Sequence, residues 1–200
     1  MKGCMPLQTD EAGLILEAGF EGRYAARDRA LCALGLKSGF RVSELLSLRV
    51  HDVIRNGQFV REVSIRRRNM KGKRTGRRLP LATSCHPYLT EWLGDLARMC
   101  NGNIDPEQFL FMSRKGSNQP ISRFTATRII QRACERIGVH GPAYSVGFHS
   151  LRKTFAEQVY ERTDHDLLKT QKIMGHKSVD STAKYIAVND DEVRNIIESI

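Results

Sequence analysis

The stretch from Phe148 to Tyr185, FHSLRKTFAEQVYERTDHDLLKTQKIMGHKSVDSTAKY, constrains the chain more than any other. His149 and Arg152 are three residues apart and so share one face of an α-helix. Leu151, Phe155 and Val159 recur every four residues and supply that helix with a buried side. A second short helix is predicted from Asp166 to Met174, closed by Gly175, because glycine accepts the left-handed conformation that ends helices. His176 follows at once. Ser178 then caps a third short helix that has Asp180 in its first turn and carries Tyr185. Two strong phosphate donors, a histidine at a chain break and a tyrosine can therefore converge on one surface.

The chain has 200 residues, 40% of them apolar, which suits a packed core rather than a disordered polymer. Its sequence holds no apolar run near the roughly 20 residues that cross a bilayer, and residues 1–10 lack the apolar centre of a signal peptide, so a cytoplasmic protein is expected. Five widely spaced cysteines, with no CxxC pair, read as reduced thiols. Lys plus Arg number 32 against 22 acids, a net charge of +10. Such an excess favours a polyanion, and nucleic acid is the commonest one. It is concentrated between Arg61 and Arg78, where Glu62 is the single acid, whereas the tail from Asp190 to Glu198 is acidic.

Thr9, Asp10 and Glu11 mark a capped helix entry, and Tyr24 to Lys37 is rich in the helix formers Ala and Leu, with Gly39 placed to end it. Arg41 sits just past that stop, and Ser43 caps the next short helix, in which Leu45, Leu46 and Leu48 face inward. Residues 58–66 alternate as one strand, and Arg77 to Leu81 forms a second. Between them RRRNMKGKRTG is a hairpin connection that carries Lys71 and Lys73. Thr83 and Ser84 cap a helix running through Leu96, and Ser122 caps another to Ile137, whose arginines reach either a phosphate or solvent. In DDEVRNIIESI, Val193, Ile196, Ile197 and Ile200 make an apolar stripe. That helix either folds back on its own domain or docks on another protomer. The expected fold is mainly α with a small antiparallel β-hairpin.

Four blocks, SGFRVSELLSLRVHDV, KGKRTGRRLPL, HSLRKTFA and MGHKSVDSTAKYI, stand in the order found in the tyrosine recombinases, or phage integrases. From about Thr9 onward the chain resembles the catalytic domain of that family. The resemblance implies that fold over residues 1–200, with a core at 9–188 and a C-terminal helix at 189–200 that a neighbouring protomer can receive. Arg41 resembles the first catalytic arginine, His149 and Arg152 the HxxR pair, His176 the family's histidine or tryptophan, and Tyr185 the nucleophile. Lys71 resembles the catalytic lysine, with Lys73 as the alternative, since the hairpin is about one residue longer than in many members. Alone, Tyr185 reads as a structural tyrosine and Arg41 as a surface arginine. Coincidence would have to reproduce the whole ordered set.

Elementary chemistry agrees with these roles. Two guanidinium forks clamp nonbridging phosphate oxygens and stabilise the charge of the transition state. A tyrosine hydroxyl attacks once its proton is taken, and the covalent phosphotyrosine conserves the bond energy. A lysine protonates the leaving 5′ oxygen. The resemblance implies site-specific cleavage and rejoining of double-stranded DNA, by a homo-oligomer that is a tetramer when assembled and can be a monomer when free. Neither cofactor nor metal is expected, and membrane binding is not. Only about 40 residues precede Arg41, so the family's additional N-terminal helical domain is expected to be absent, as in short DNA invertases or a catalytic fragment. Type IB topoisomerase-like relaxation and a non-cleaving DNA-binding regulator are the rival readings.

Overall fold

Residues 25–38, AARDRALCALGLKS, combine small and unbranched side chains that lose little entropy in a helix, and they form α2 (Ala25–Ser38), buried along most of its length. The computed structural model describes residues 4–65, 76–114, 118–139, 145–176, 178–183 and 197–198. These fall into two compact units, Met1–Phe155 and Ala156–Ile200. In the first, α1 (Thr9–Ala18), α2 and α3 (Val42–Leu45) are followed by β1 (Ile54–Arg55), β2 (Gln58–Phe59), β3 (Glu62–Ile65) and β4 (Arg77–Pro80). The helices α4 (His86–Met99) and α5 (Arg123–Arg136) complete it, and α6 (Phe148–Arg162) begins in this unit and ends in the second. The second unit adds α7 (Leu167–Met174) and α8 (Val179–Ala183).

The expectation of a mainly helical chain with small antiparallel sheets is met. The single strand expected over 58–66 is not. Gln58–Phe59 pair back on Ile54–Arg55 across a turn at Asn56 and Gly57, both at positive φ, and only Glu62–Ile65 pair with Arg77–Pro80. Three caps also differ. Gln8 rather than Thr9 precedes α1, with its backbone N–H donating to Glu11. Arg41 rather than Ser43 precedes α3. A short 3-10 turn, Thr83–Cys85, leads into α4, where Pro87 takes a first-turn position that needs no N–H. By contrast Ser122 and Ser178 accept the backbone N–H bonds expected of caps, while Asp166, expected as the first residue of its helix, is the N-cap of α7 and accepts from Leu168 and Lys169. Lys71, Lys73, Tyr185 and nearly all of the C-terminal tail lie outside the described residues.

Leu31, Leu89, Leu96, Ile130 and Leu151 are fully buried, and Trp92 joins them with its indole N–H donating to the Leu110 carbonyl at 2.8 Å. That bond matters because a buried indole N–H without a partner costs about 1–3 kcal/mol. The Leu110 N–H in turn donates to the Leu48 carbonyl, tying the segment after α3 to the 109–111 strip. All five cysteines are free thiols, as expected, and burial pushes Cys85 and Cys134 up to about 12.

Two glycines of α2 and its cap set how the N-terminal part of α6 sits. A Cβ at Gly35 would lie 2.7 Å from Leu151 Cδ1 and 3.3 Å from Leu151 Cβ, so any larger residue there would force that leucine to shift. Gly39 closes α2 at φ +56 and faces the Phe155 ring. The hydroxyl of Ser38 reinforces the stop by donating to the Leu34 carbonyl at 2.5 Å and accepting from the Phe40 N–H. Gly39→Ala should therefore lower stability by roughly 2–4 kcal/mol, through left-handed strain plus overpacking. A urea titration should show a lower midpoint with an unchanged slope.

Candidate active site

The sharp exit from α2 presents three consecutive residues with different tasks. Gly39 turns its carbonyl to the Arg152 guanidinium, which donates to it through Nη1. Phe40 is buried, at 1% exposure. Arg41 caps the start of α3, and its guanidinium reaches outward, with 43% of the side chain accessible. Glu44 holds it in place. One carboxylate oxygen accepts from Arg41 Nη1 at 3.1 Å and the other from the Arg41 backbone N–H at 2.9 Å. Glu44 is itself 1% exposed, so this ion pair combines a fixed acid with an accessible cation. That geometry suits a guanidinium that must also meet an anion from outside.

The first turn of α6 supplies the other two groups. Arg152 is 1% exposed and anchored on Gly39, while His149, three residues earlier, is accessible. Partial desolvation lowers the His149 pKa, and the charges of Arg152, Lys153 and Arg41 add to the effect. The imidazole is therefore biased toward its neutral, proton-accepting form. Arg41, His149 and Arg152, picked out from the sequence, are thus brought into one electrostatic cluster.

Two further members were missed by sequence reading. Glu44 is one, and its signal was the spacing Arg-x-x-Glu across a helix start. Arg77 is the other. It opens β4 at 8% exposure, with its guanidinium 5.3 Å from the Phe40 ring centroid. Burial lowers its pKa to about 10, assisted by Arg152 and Arg41 and opposed by Glu44. It remains a cation at neutral pH. Within a run of so many basic residues, nothing in the sequence singled it out.

His176 belongs to the second unit. Gly175 closes α7 at φ +61, as expected, and the His176 N–H returns to the Gln171 carbonyl at 3.1 Å. His176 Nδ1 and Thr182 Oγ1 share a hydrogen bond of 2.9 Å, which fixes the ring, and Thr182 on α8 is fully buried. Tyr185 and both candidate lysines lie outside the described residues. Among the described residues no cluster of His, Cys, Asp and Glu could hold a metal ion, and no helix is long and apolar enough to cross a membrane.

The profile described as "Phage integrase family" matches residues 6–192, nearly the whole chain. The chain belongs to the phage integrase family. Among its relatives is the probable integrase/recombinase YoeC of Bacillus subtilis, 30% identical over 84% of this chain and 81% of that protein. Another is the tyrosine recombinase XerC of Vibrio vulnificus, 27% identical over 96% of this chain and 56% of that protein. The chain thus spans about half the length of the XerC protein it matches. Two solved structures are similar. XerA recombinase superposes with a TM-score of 0.71 at 26% identity, covering 99% of this chain and 66% of that one. XerH, solved as a pre-cleavage complex with its difH substrate, gives 0.71 at 23% identity, covering 98% and 55%. The fold of this phage integrase family member is that of tyrosine recombinase catalytic domains.

The lowered pKa of His149 has a consequence for stability. In the unfolded chain the imidazole titrates near its ordinary 6.5, and in the folded protein below it. The unfolded state therefore binds the proton first. Stability is full above the ordinary value and falls as the pH drops through it toward the folded pKa. Between about pH 7.5 and about pH 5.5 the melting temperature of the wild type should fall more than that of His149→Gln, measured by circular dichroism. Parallel pH profiles would contradict this placement of His149.

Proposed function

We propose that this phage integrase family member cleaves and rejoins double-stranded DNA at specific sites through a 3′-phosphotyrosyl intermediate, with Tyr185 as the nucleophile. The observation that carries the reading is the convergence of Arg41 and Arg152 on the Gly39–Arg41 turn, beside a histidine biased toward neutrality. Two guanidiniums held by separate elements can grip both nonbridging oxygens of one phosphate, with Arg41 the accessible fork and Arg152 the buried one. The +10 charge supplies the general attraction for a polyanion.

In the first step the Tyr185 oxygen attacks phosphorus, a Tyr–O–P bond forms, and the bond to the 5′ oxygen breaks. Neutral His149 accepts or relays the phenolic proton, and Lys71, or Lys73 in its place, protonates the departing 5′ oxygen. His176, its ring fixed by Thr182, donates to a phosphate oxygen. A 5′ hydroxyl from another strand then attacks the phosphotyrosine and the proton transfers reverse. Two duplexes exchanging all their strands need one tyrosine per strand, so the assembled form is a tetramer of this chain on DNA, whatever its state when free. No step calls for a cofactor or a metal.

The test is a duplex that carries the mapped cleavage site and a nick just beyond it, so that the cleaved end is lost and the adduct accumulates. Wild-type protein should form a covalent adduct that resists denaturant. Tyr185→Phe should form none while binding DNA within about threefold of the wild type, because the lost hydroxyl contributes to the chemical step rather than to binding. An adduct surviving that change would contradict the reading. Lys71→Ala and Lys73→Ala, compared on a 5′-phosphorothiolate whose leaving sulfur needs no proton, should show recovered cleavage for whichever lysine is the acid.

A further inference from the structure

The strand β4 places a cation where its register calls for an apolar side chain. Arg77 pairs with Ile65 in the rung that ends both β3 and β4, and Arg77 and Ile65 are 8% and 2% exposed. Leaving a guanidinium in such a place costs free energy that a methionine or leucine of similar bulk would not incur. The surroundings offset it. The Phe40 ring lies under the guanidinium at 5.3 Å, and the Glu44 carboxylate is within electrostatic reach. Phe40 is the residue between the carbonyl that holds Arg152 and the backbone of Arg41. Glu44 is the carboxylate that holds Arg41. Arg77 thus touches or faces both supports of the arginine pair, and it approaches them from the sheet rather than from a helix.

We propose that Arg77 is a positioning residue for strand cleavage: it braces Phe40 from the closing rung of β3 and β4 and shares the charge of Glu44, so that Arg41 stays available to the phosphate. Without Arg77, the Glu44 carboxylate would be balanced by Arg41 alone and would draw that fork inward. The Gly39–Arg41 turn would also lose the cation that packs against its central ring. The inference rests on the clamp reading above and adds a residue that does not itself contact DNA.

The experiment uses the full chain and the nicked duplex described above, with three readouts: thermal melting, the dissociation constant for DNA, and the single-turnover rate of adduct formation. Arg77→Met keeps the length and removes the charge. It should bind DNA within about threefold of the wild type and form adduct roughly a hundredfold more slowly, the order of loss that a misplaced clamp brings. Arg77→Lys, which keeps a cation over the ring, should recover at least about tenfold of that loss. Phe40→Leu removes the platform and leaves Arg77 in place. It should also slow adduct formation at nearly unchanged affinity, and it carries the test if Arg77→Met does not fold. An adduct rate within about threefold of the wild type for folded Arg77→Met, or for Phe40→Leu in its stead, overturns the proposal. So does equal loss in the Met and Lys variants, which marks a merely structural role. An adduct in Tyr185→Phe would instead defeat the cleavage reading, independently of Arg77.

Discussion

The site depends on a single interaction, the guanidinium of Arg152 donating to the carbonyl of Gly39. A cation at 1% exposure is expensive to bury and needs acceptors fixed in advance. Gly39 provides one because the left-handed turn that ends α2 leaves its carbonyl outside the helical ladder. The same turn reverses the chain so that Phe40 enters the core and Arg41 emerges at the start of α3. Helix stop, arginine anchor and helix start are thus one local structure. A change that relaxes the turn disturbs stability and both arginines together.

Electrostatics sharpen that geometry. Arg41 and Arg77 face one carboxylate, Glu44, and Arg152 lies within electrostatic reach of Arg77, so the described cluster carries excess positive charge before any anion arrives. Such an arrangement is costly in isolation and less so beside an anion, which is the differential that the proposed phosphate clamp would use to stabilise a transition state richer in negative charge. Arginine suits the role because its planar fork grips two oxygens and stays charged when partly desolvated. His149, in the same field, is pushed toward neutrality and can take a proton that an imidazolium could not. The second unit shows a smaller version of the same economy, with Thr182 orienting His176 through one hydrogen bond.

Much of this was legible in the sequence, for identifiable reasons. Helix stops at Gly39 and Gly175 and caps at Ser122 and Ser178 are local chemistry, readable from a few residues. The pairing of His149 with Arg152 follows from helical period alone. What escaped was decided by distant contacts or by competing local ones. Residues 58–66 alternate like one strand, yet Asn56 and Gly57 adopt a tight turn that pairs Gln58–Phe59 backward. Arg77 looked like one more basic residue of a basic run. Only the register against Ile65, with Phe40 arriving from another part of the chain, makes it an inward-facing cation. Glu44 stands three residues after Arg41, but its burial against that arginine depends on how α3 packs.

The proposed reaction turns on one covalent bond, between the Tyr185 oxygen and a DNA 3′ phosphate. The most direct measurement digests the trapped adduct with trypsin and nuclease and sequences the modified peptide by mass spectrometry. Cleavage after Lys184 and Arg194 releases YIAVNDDEVR, and the account predicts a nucleotide phosphate on its first residue, Tyr185. A phosphonucleotide on any other residue, or a cleaved strand with no protein attached, would contradict it.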